Sequence, residues 1–199
     1  MSRTFYLYAK TKMYELILAN FSMHVALDAA ETEPIKTKLQ HKTIKKSTIL
    51  LDICRHICFV NKGCLRIFNT DKDGEEHNIL FCPENWWAVD IASFSGQTPA
   101  FYTIAALEDT EVFYLSYNVL EQLYIEIPKL ERFFRIMIQN GFNLYQNRIT
   151  SNLSKSAEER YMLFQKQYPK LEQRIAQKQI ASYLGITPVF LSMIRKRNS

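Results

Sequence analysis

The stretch "RIAQKQIASYLGITPVFLSMIRKR" at residues 174–197 contains the pattern that decides the fold of this chain. Ile180 and Leu184 fall on one face of a first predicted helix. Gly185 follows where a tight turn between two helices needs a residue at positive φ, which glycine adopts without steric cost. Beyond the turn, Leu191 faces back toward the first helix. The spacing predicts a helix-turn-helix, with a generic αα-hairpin as the alternative.

The second helix of this pair is predicted to begin at Thr187, a good N-cap, with Pro188 at the first helical position, where its missing N–H costs nothing. On its outward face, Lys196 and Arg197 can hold phosphates, and Ser192 is the short polar side chain that could read a base edge. The predicted DNA-contacting residues are Gln177, Lys178, Gln179, Thr187, Val189, Phe190, Ser192, Met193, Lys196 and Arg197. Direct base readout is expected to be weak, because no Arg or Asn stands at the start of this helix.

The net charge of the 199 residues is +5, and its distribution is uneven. Residues 174–199 contain three Arg and two Lys and no acidic residue, so the remaining residues sum to zero. This concentration of positive charge favours a polyanionic partner for the C-terminal end. A solvated basic tail is the alternative.

After Pro128, apolar residues recur at intervals of three and four over about six helical turns, which predicts a long helix. A helix this apolar must bury more than one face. We therefore expect a partner helix from a second subunit, although packing on the chain's own domain is the alternative. The predicted dimer interface comprises Leu130, Phe134, Met137, Gly141, Leu144, Tyr145 and Ile149.

Ser156 and Glu159 have the spacing of a capping box, in which each side chain accepts a hydrogen bond from the other's backbone. This signal marks a helix start and a domain boundary near residue 154. We predict a β-roll domain with an N-terminal helix at 1–127, a dimerisation helix at 128–153, and a helix-turn-helix domain at 154–199 that lacks most of a wing.

Between about Ile35 and Ser116 the pattern changes to short runs rich in Ile, Val, Phe and Tyr, separated by turn residues. These predicted strands are "STILL", "ICFVN", "CLRIFNT", "HNILFC" and "EVFYLS". The turn "DKDG" joins two of them in a predicted hairpin. Such strands favour an antiparallel, jelly-roll-like β-roll, and with the helices an α+β fold. Before the strands, residues 5–29 predict a helix that ends at "ETEP", because Pro34 disfavours helix at the preceding residue.

A long insertion, "ENWWAVDIASFSGQTPAFYTIAALEDTE" at residues 84–111, separates two of the predicted strands. It contains a tryptophan pair, a short helical piece and a Gly-Gln-Thr-Pro turn. Insertions of this kind in a regular array of strands often carry a ligand site. The candidate effector-pocket residues are Trp86, Trp87, Asp90, Phe101 and Tyr102.

Composition argues against several classes of protein. The four Cys have no zinc-type spacing, the four His include no HxH pair, and no Gly-rich phosphate loop or nucleophile elbow occurs. We therefore predict no catalytic residue, no metal site and no cofactor, and expect the cysteines to pack as small hydrophobes. No run approaches the roughly 20 apolar residues of a membrane span, and the N-terminus lacks the order of a signal peptide, so we expect a cytoplasmic protein.

The order of strand-rich roll, long apolar helix and helix-turn-helix resembles the CRP/FNR family of bacterial transcription regulators, most of all its divergent Bacteroides-type members. The resemblance rests on the stretches "FVNKGCLRIFNTDKDGEEHNILF", "WWAVDIASFSGQTPAFYTIAALEDTEVFYLS" and "RIAQKQIASYLGITPVFLSMIRKR", within residues 40–199. It implies an N-terminal cyclic-nucleotide-binding-like roll, a dimerisation helix and a C-terminal winged helix.

The sequence departs from the family pattern in three places. In members that bind cyclic AMP, a Gly-Glu pair holds the ribose and an Arg-Ser pair holds the cyclic phosphate. The Glu position aligns with Asp90, preceded by Val89, and the Arg-Ser position falls in "TPAFYT", which contains no basic residue. We therefore expect no cyclic AMP binding in the usual mode. Residues 1–53 contain no Cys for an iron–sulfur sensor, and we expect the wing's groove contact to be absent.

The leading hypothesis is a dimeric regulator that binds double-stranded DNA, with an unknown small-molecule effector and RNA polymerase as a further candidate partner. The alternative is a small-molecule-binding module with a degenerate DNA-binding domain, which would bind DNA only in a salt-sensitive and sequence-blind way. A metal-dependent enzyme of the jelly-roll type is disfavoured, because it needs clustered His and Glu ligands.

Overall fold

The computed structural model describes residues 13–50 and 55–197. Within them lie helices α1 (Glu15–Ser22), α2 (Ala29–Lys38), α3 (Ile91–Gly96), α4 (Tyr117–Glu126), α5 (Lys129–Ser154), α6 (Ala157–Gln167), α7 (Gln177–Leu184) and α8 (Pro188–Arg197). The strands are β1 (Gln40–Ile44), β2 (His56–Lys62), β3 (Leu65–Thr70), β4 (Glu76–Cys82), β5 (Trp87–Ala88), β6 (Thr103–Ala106) and β7 (Thr110–Ser116).

The strands form an antiparallel roll of two facing sheets, with strand orders β1-β7-β2-β5 and β4-β3-β6. The predicted hairpin is the β3–β4 pair, in which Leu65 lies opposite Cys82. Its turn contains Gly74 at φ +84°, a conformation that glycine adopts easily. The α+β class and the roll are confirmed. The predicted strand "STILL" is wrong over its described residues, which contribute a single bridge between Ile49 and Ala105.

The N-terminal helix differs from the prediction. Residues 5–12 lie outside the described residues, α1 ends at Ser22, and α2 begins at Ala29. Pro34 does not end a helix but lies inside α2. A capping box between Asp28 and Glu31 begins this second helix and offsets the one backbone hydrogen bond that Pro34 cannot donate.

The predicted long helix is confirmed as α5, a helix of 26 residues. Its first turns are part of the core of the roll, where Phe133 lies 4.7 Å from Phe21 and Phe134 5.2 Å from Trp87, between ring centroids. Leu130 and Phe134 were expected at a dimer interface. The structure corrects this, because they are only 1% and 2% exposed in the chain's own core. Apolar periodicity shows that a face is buried, not what buries it.

The C-terminal helices pack around a core of their own that extends onto the roll. Phe164, Ile180, Leu191 and Ile194 are buried there together with Phe81 of β4. The ring of Phe81 lies 5.2 Å from that of Tyr183 on α7. One apolar cluster therefore joins the predicted helix-turn-helix unit to the sheet.

Candidate functional site

The turn between α7 and α8 has the local geometry that the sequence predicts. Gly185 ends α7 in the left-handed conformation, at φ +65°. The backbone N–H of Ile186 donates to the carbonyl of Ala181 at 3.0 Å, which closes the end of the helix. The hydroxyl of Thr187 accepts from the N–H of Phe190 at 3.2 Å, and Pro188 follows as the first residue of α8. The helix-turn-helix geometry is confirmed.

Helix α8 has one face in the core and one face in solvent. Leu191 and Ile194 are fully buried, as predicted. On the opposite side Val189 is 72% exposed and Met193 47%. Phe190, Lys196 and Arg197 are also exposed, and Ser192 is half-buried. Arg197 Nη1 lies 3.6 Å from the Glu158 carboxylate, in a pair that leaves both side chains accessible.

The polar residues at the start of α7 do not all face solvent. Gln177 and Lys178 are exposed, but the Gln179 side chain is bound to the roll. Its Oε1 accepts from Asn78 Nδ2 at 2.7 Å and from Arg66 Nη1 at 3.1 Å. Gln179 was expected to contact DNA. The structure places its amide against β4 instead, because Asn78 and Arg66 are largely buried and need partners there.

A second contact ties α7 to the same strand. The Ser182 hydroxyl accepts from the Asn78 backbone N–H at 3.0 Å and donates to the Glu76 carbonyl at 2.7 Å. Arg66 forms an ion pair with Glu76 at 2.6 Å. The outer edge of β4 is therefore covered by the first helix of the helix-turn-helix.

Arg148 of α5 joins three elements and was not singled out by sequence reasoning. Its guanidinium donates to the carbonyls of Asn78 and Ile79 on β4 and of Tyr183 on α7, the first and last at 2.7 and 2.8 Å. It also lies 4.0 Å from the centre of the Tyr183 ring. Burial lowers the pKa of Arg148. The sequence shows only a basic residue among the apolar positions of the predicted long helix, and this pattern does not identify the carbonyl groups that Arg148 binds.

Arg174 also binds the roll. It pairs with Glu84 through two hydrogen bonds of 2.7 and 2.9 Å, and with Glu108. Burial alone would raise the pKa of Glu84, but the hydrogen bonds and the charge of Arg174 outweigh it and hold that pKa below the ordinary value. Arg174 was counted in the positive excess of residues 174–199. Its charge is compensated here, which leaves the excess on Lys178 and the end of α8.

The effector-pocket candidates lie in two places. Asp90 is buried, and its carboxylate accepts from the backbone N–H groups of Phe101 and Tyr102 at 2.8 and 3.0 Å. The Phe101 side chain is 69% exposed, whereas Tyr102 lies against the core of the roll. Trp86 and Trp87 line a separate cavity of about 550 Å³ beside α5. The five residues therefore do not converge on one cavity.

The exposed apolar residues of α5 form a stripe along its outer side. Phe142 and Ile149 are each 61% exposed, and Ile138 and Leu153 are exposed as well. We call these four residues the α5 stripe. Of the other predicted interface residues, Met137, Leu144 and Tyr145 are half-buried against the roll. No atom lies within 4 Å of a Cβ placed on Gly141, among the described residues.

Three described cysteines, Cys58, Cys64 and Cys82, are buried free thiols. Burial raises the pKa of Cys58 and of Cys64 to about 12, which suits apolar packing. Cys54 lies outside the described residues. In residues 13–50 and 55–197, no cluster of His, Cys, Asp and Glu could hold a metal ion. In the same part of the chain, no helix is long and apolar enough to cross a membrane.

Comparison with known proteins shows which domain family and which fold this chain resembles. Residues 51–126 match the model of the cyclic nucleotide-binding domain, and no curated protein matched the sequence. Among solved structures, FixK2 from Bradyrhizobium japonicum is similar at TM-score 0.70 and 15% identity, covering 80% of this chain and 83% of that one.

Two further structures are similar over most of their length. The c-di-GMP-responsive regulator CLP from Xanthomonas campestris has TM-score 0.69 and 14% identity, covering 85% of this chain and 91% of that one. A transcriptional regulator described as CRP/FNR-family, from Eubacterium rectale, has TM-score 0.65 and 19% identity, covering 86% and 83%. Residues 51–126 are thus similar to the cyclic nucleotide-binding domain, and the chain shares its fold with these solved structures, one of which is described as a CRP/FNR-family regulator.

Proposed function

We propose that this protein is a dimeric, DNA-binding transcription regulator of the CRP/FNR type, and that α8 is its recognition helix. The observation that carries the proposal is the solvent-exposed face of α8 behind a well-formed turn at Gly185. Lys196 and Arg197 supply phosphate contacts, and Val189, Phe190, Ser192 and Met193 face the bases. Gln177 and Lys178 reach the DNA backbone from the start of α7, with Thr187 at the turn.

Dimerisation through α5 follows from the α5 stripe. Four apolar side chains along one helix would be costly to leave in water, and a second copy of the same stripe would cover them. A two-fold dimer spaces two recognition helices to meet half-sites one helical turn apart, roughly 34 Å. In this proposal the chain divides into a roll at 1–127, a dimerisation helix at 128–153 and a DNA-binding unit at 154–199.

The effector is not cyclic AMP in the usual mode. The missing Arg in "TPAFYT" is one reason. The second is Asp90, whose carboxylate already occupies the N–H groups of Phe101 and Tyr102. A cyclic phosphate at that position would have to displace this internal anion and would meet its charge. Calorimetry with cyclic AMP and cyclic GMP is expected to show no micromolar heat signal.

Fluorescence anisotropy tests the DNA proposal, using duplexes selected from a random pool by the full-length protein and scrambled duplexes at two salt concentrations. We expect tighter binding to the selected duplexes at both concentrations. Equal affinity for both sets would favour the alternative, a small-molecule-binding module with a degenerate DNA-binding domain.

Sedimentation tests the dimer separately. The double variant Phe142→Glu/Ile149→Glu is expected to sediment as a monomer, because it places charges in an apolar seam without disturbing the core. The matched control Asn140→Glu/Asn147→Glu adds the same charge, at the same spacing, to exposed polar positions on the other side of α5 and should stay dimeric. A dimeric Phe142→Glu/Ile149→Glu protein would contradict the α5 interface.

A further inference from the structure

A cavity of about 530 Å³ lies where the end of α5 meets α6 and α7. It is separate from the Trp86–Trp87 cavity and from the Asp90 region. Its volume falls within the range of small-molecule sites in proteins, roughly 300 to 1,000 Å³. Its apolar wall includes Leu144, Leu163 and Phe164.

The charged residues that line this cavity are all cationic. Arg148, Lys155, Arg160 and Lys166 line it, and none of its lining residues is acidic. None of the four makes an ion pair within the described part of the chain. Four cations around an apolar wall create a positive potential that low-dielectric surroundings strengthen.

The acidic residues nearest in sequence, Glu158 and Glu159, do not line the cavity and form no ion pair with its cations, and Lys155 acts on Glu159 only through its charge at longer range. Glu159 accepts from the Ser156 backbone N–H at 2.8 Å as half of the capping box. Glu158 faces Arg197 at 3.6 Å. Two of the cations also have an unused donor, because Arg148 Nε and Arg160 Nε are buried without a hydrogen-bond partner. Buried unpaired guanidinium donors are unfavourable, and a bound anion nearby would compensate their charge.

We propose that this cavity binds a small organic anion with an apolar body. Its acidic head group pairs with Lys155, Arg160 and Lys166, and its apolar part lies against Leu163 and Phe164. Inorganic anions would satisfy the charges but leave the apolar wall wet, and neutral amphiphiles would leave the cations unpaired.

The cavity stays accessible in the proposed dimer. Leu144, Arg148 and Ser151 recur at intervals of four and three residues, so they share one face of α5, and Lys155 follows directly after the helix ends. At 3.6 residues per turn, that face lies about 140° around the helix from the α5 stripe. The site also avoids the exposed face of α8, so its ligand does not compete with DNA for the same side chains.

The test is a fluorescence titration of the full-length protein with cis-parinaric acid, a fluorescent fatty acid. We expect saturable binding that octanoate displaces, whereas octylammonium, of equal chain length and opposite charge, does not. The variant Lys155→Gln/Lys166→Gln should bind at least about tenfold more weakly, since neither glutamine carries a positive charge to pair with the acidic head group. The control Lys62→Gln/Lys72→Gln removes the same charge at exposed positions of the roll and should bind like the wild type.

A steric variant makes the test independent of charge. Ser151→Phe fills the cavity while leaving all four cations in place, and it should abolish binding. Absence of saturable binding, equal displacement by octylammonium, or equal affinity of the two lysine double variants would overturn the proposal. These readouts do not involve DNA, so their failure is distinct from failure of the proposed function.

Discussion

The two helices of the helix-turn-helix are similar in length and lie side by side, but they face different surroundings. Helix α7 is bound to the sheet, with Gln179 and Ser182 hydrogen-bonded to Asn78. In helix α8, Lys196 and Arg197 form no such bond to the roll among the described residues, and both extend into solvent. Polar residues in one helix therefore complete a protein interface, while those in the other remain available for a partner.

This difference shows that residue type alone does not identify a nucleic-acid contact. Gln179 and Ser192 are both small polar candidates on predicted helices of a basic segment. A buried amide at Asn78 needs hydrogen-bond partners, so it takes Gln179. Within residues 13–50 and 55–197, no buried polar group forms a side-chain hydrogen bond with Ser192. The comparison predicts that substitutions in the α7 interface affect stability, whereas substitutions on α8 affect DNA binding.

The largest effect is expected from removing the exposed positive charges at the end of α8. The variant Lys196→Gln/Arg197→Gln should weaken binding to all duplexes alike, by roughly 10- to 100-fold at 0.1 M salt, and lower the salt slope by about one for each phosphate that is no longer neutralised. Its unfolding curve should stay close to wild type, because both side chains are exposed. Anisotropy at several salt concentrations measures both quantities. An unchanged slope would show that α8 does not face DNA.

The next effect concerns the α7 interface. Asn78→Ala removes the hydrogen bonds of the Asn78 side chain to Arg66 and to the side chain and carbonyl of Gln179. It should lower the free energy of unfolding by about 1–3 kcal/mol. Urea denaturation followed by circular dichroism measures the change. The matched substitution on α8, Ser192→Ala, should alter stability by less than about 0.5 kcal/mol. Similar losses for the two variants would remove the distinction between the helices.

Substitutions of the predicted base-contacting residues should change DNA specificity less than removal of the α8 charges changes affinity. Ser192→Ala and Phe190→Ala, made separately, are expected to change the preference for selected over scrambled duplexes by less than about tenfold, because each side chain makes at most a single contact to a base edge or thymine methyl. Competition anisotropy with both duplexes gives the ratio. If Gln179→Ala changes this ratio while Ser192→Ala and Phe190→Ala leave it constant, the assignment of roles is reversed.

The smallest effect is expected in the pH dependence of stability that arises from the Glu84–Arg174 pair. Arg174 precedes α7 and binds Glu84 of the roll. Since the folded pKa of Glu84 is lowered, its pairing stabilises the protein above the ordinary value of 4.5 and is lost as pH falls through the lower folded value. The Glu84→Gln variant should therefore lose less stability than wild type between pH 6 and pH 3.5. The difference should stay within about 1 kcal/mol, as the pair is partly exposed. Urea denaturation at several pH values measures the stability of both proteins. An equal loss of stability in the variant and the wild type would contradict the stabilising role of the Glu84–Arg174 pair.

Sequence reasoning succeeded where the cause of structure is local. Four features show this: the turn at Gly185, the cap at Thr187, the capping box at Ser156 and the turn "DKDG" each depend on residues within five positions of one another. Backbone sterics and short-range hydrogen bonds decide them, so their patterns are visible in the chain. Local rules also have limits: the capping box at Asp28 kept Pro34 inside a helix that its presence was expected to end.

Contacts between distant residues could not be predicted in the same way. Asn78 and Gln179 are 101 positions apart, and Arg148 meets Asn78 across 70. The apolar period of α5 likewise predicts a buried face but does not show that Leu130 and Phe134 face the chain's own roll while Phe142 and Ile149 remain uncovered. The sequence by itself determined the long helix, the helix-turn-helix and the β3–β4 hairpin, because the pattern of each depends on neighbouring residues. Only the tertiary structure decided which polar and apolar groups the elements bury, because burial depends on surfaces that meet only after the chain has folded.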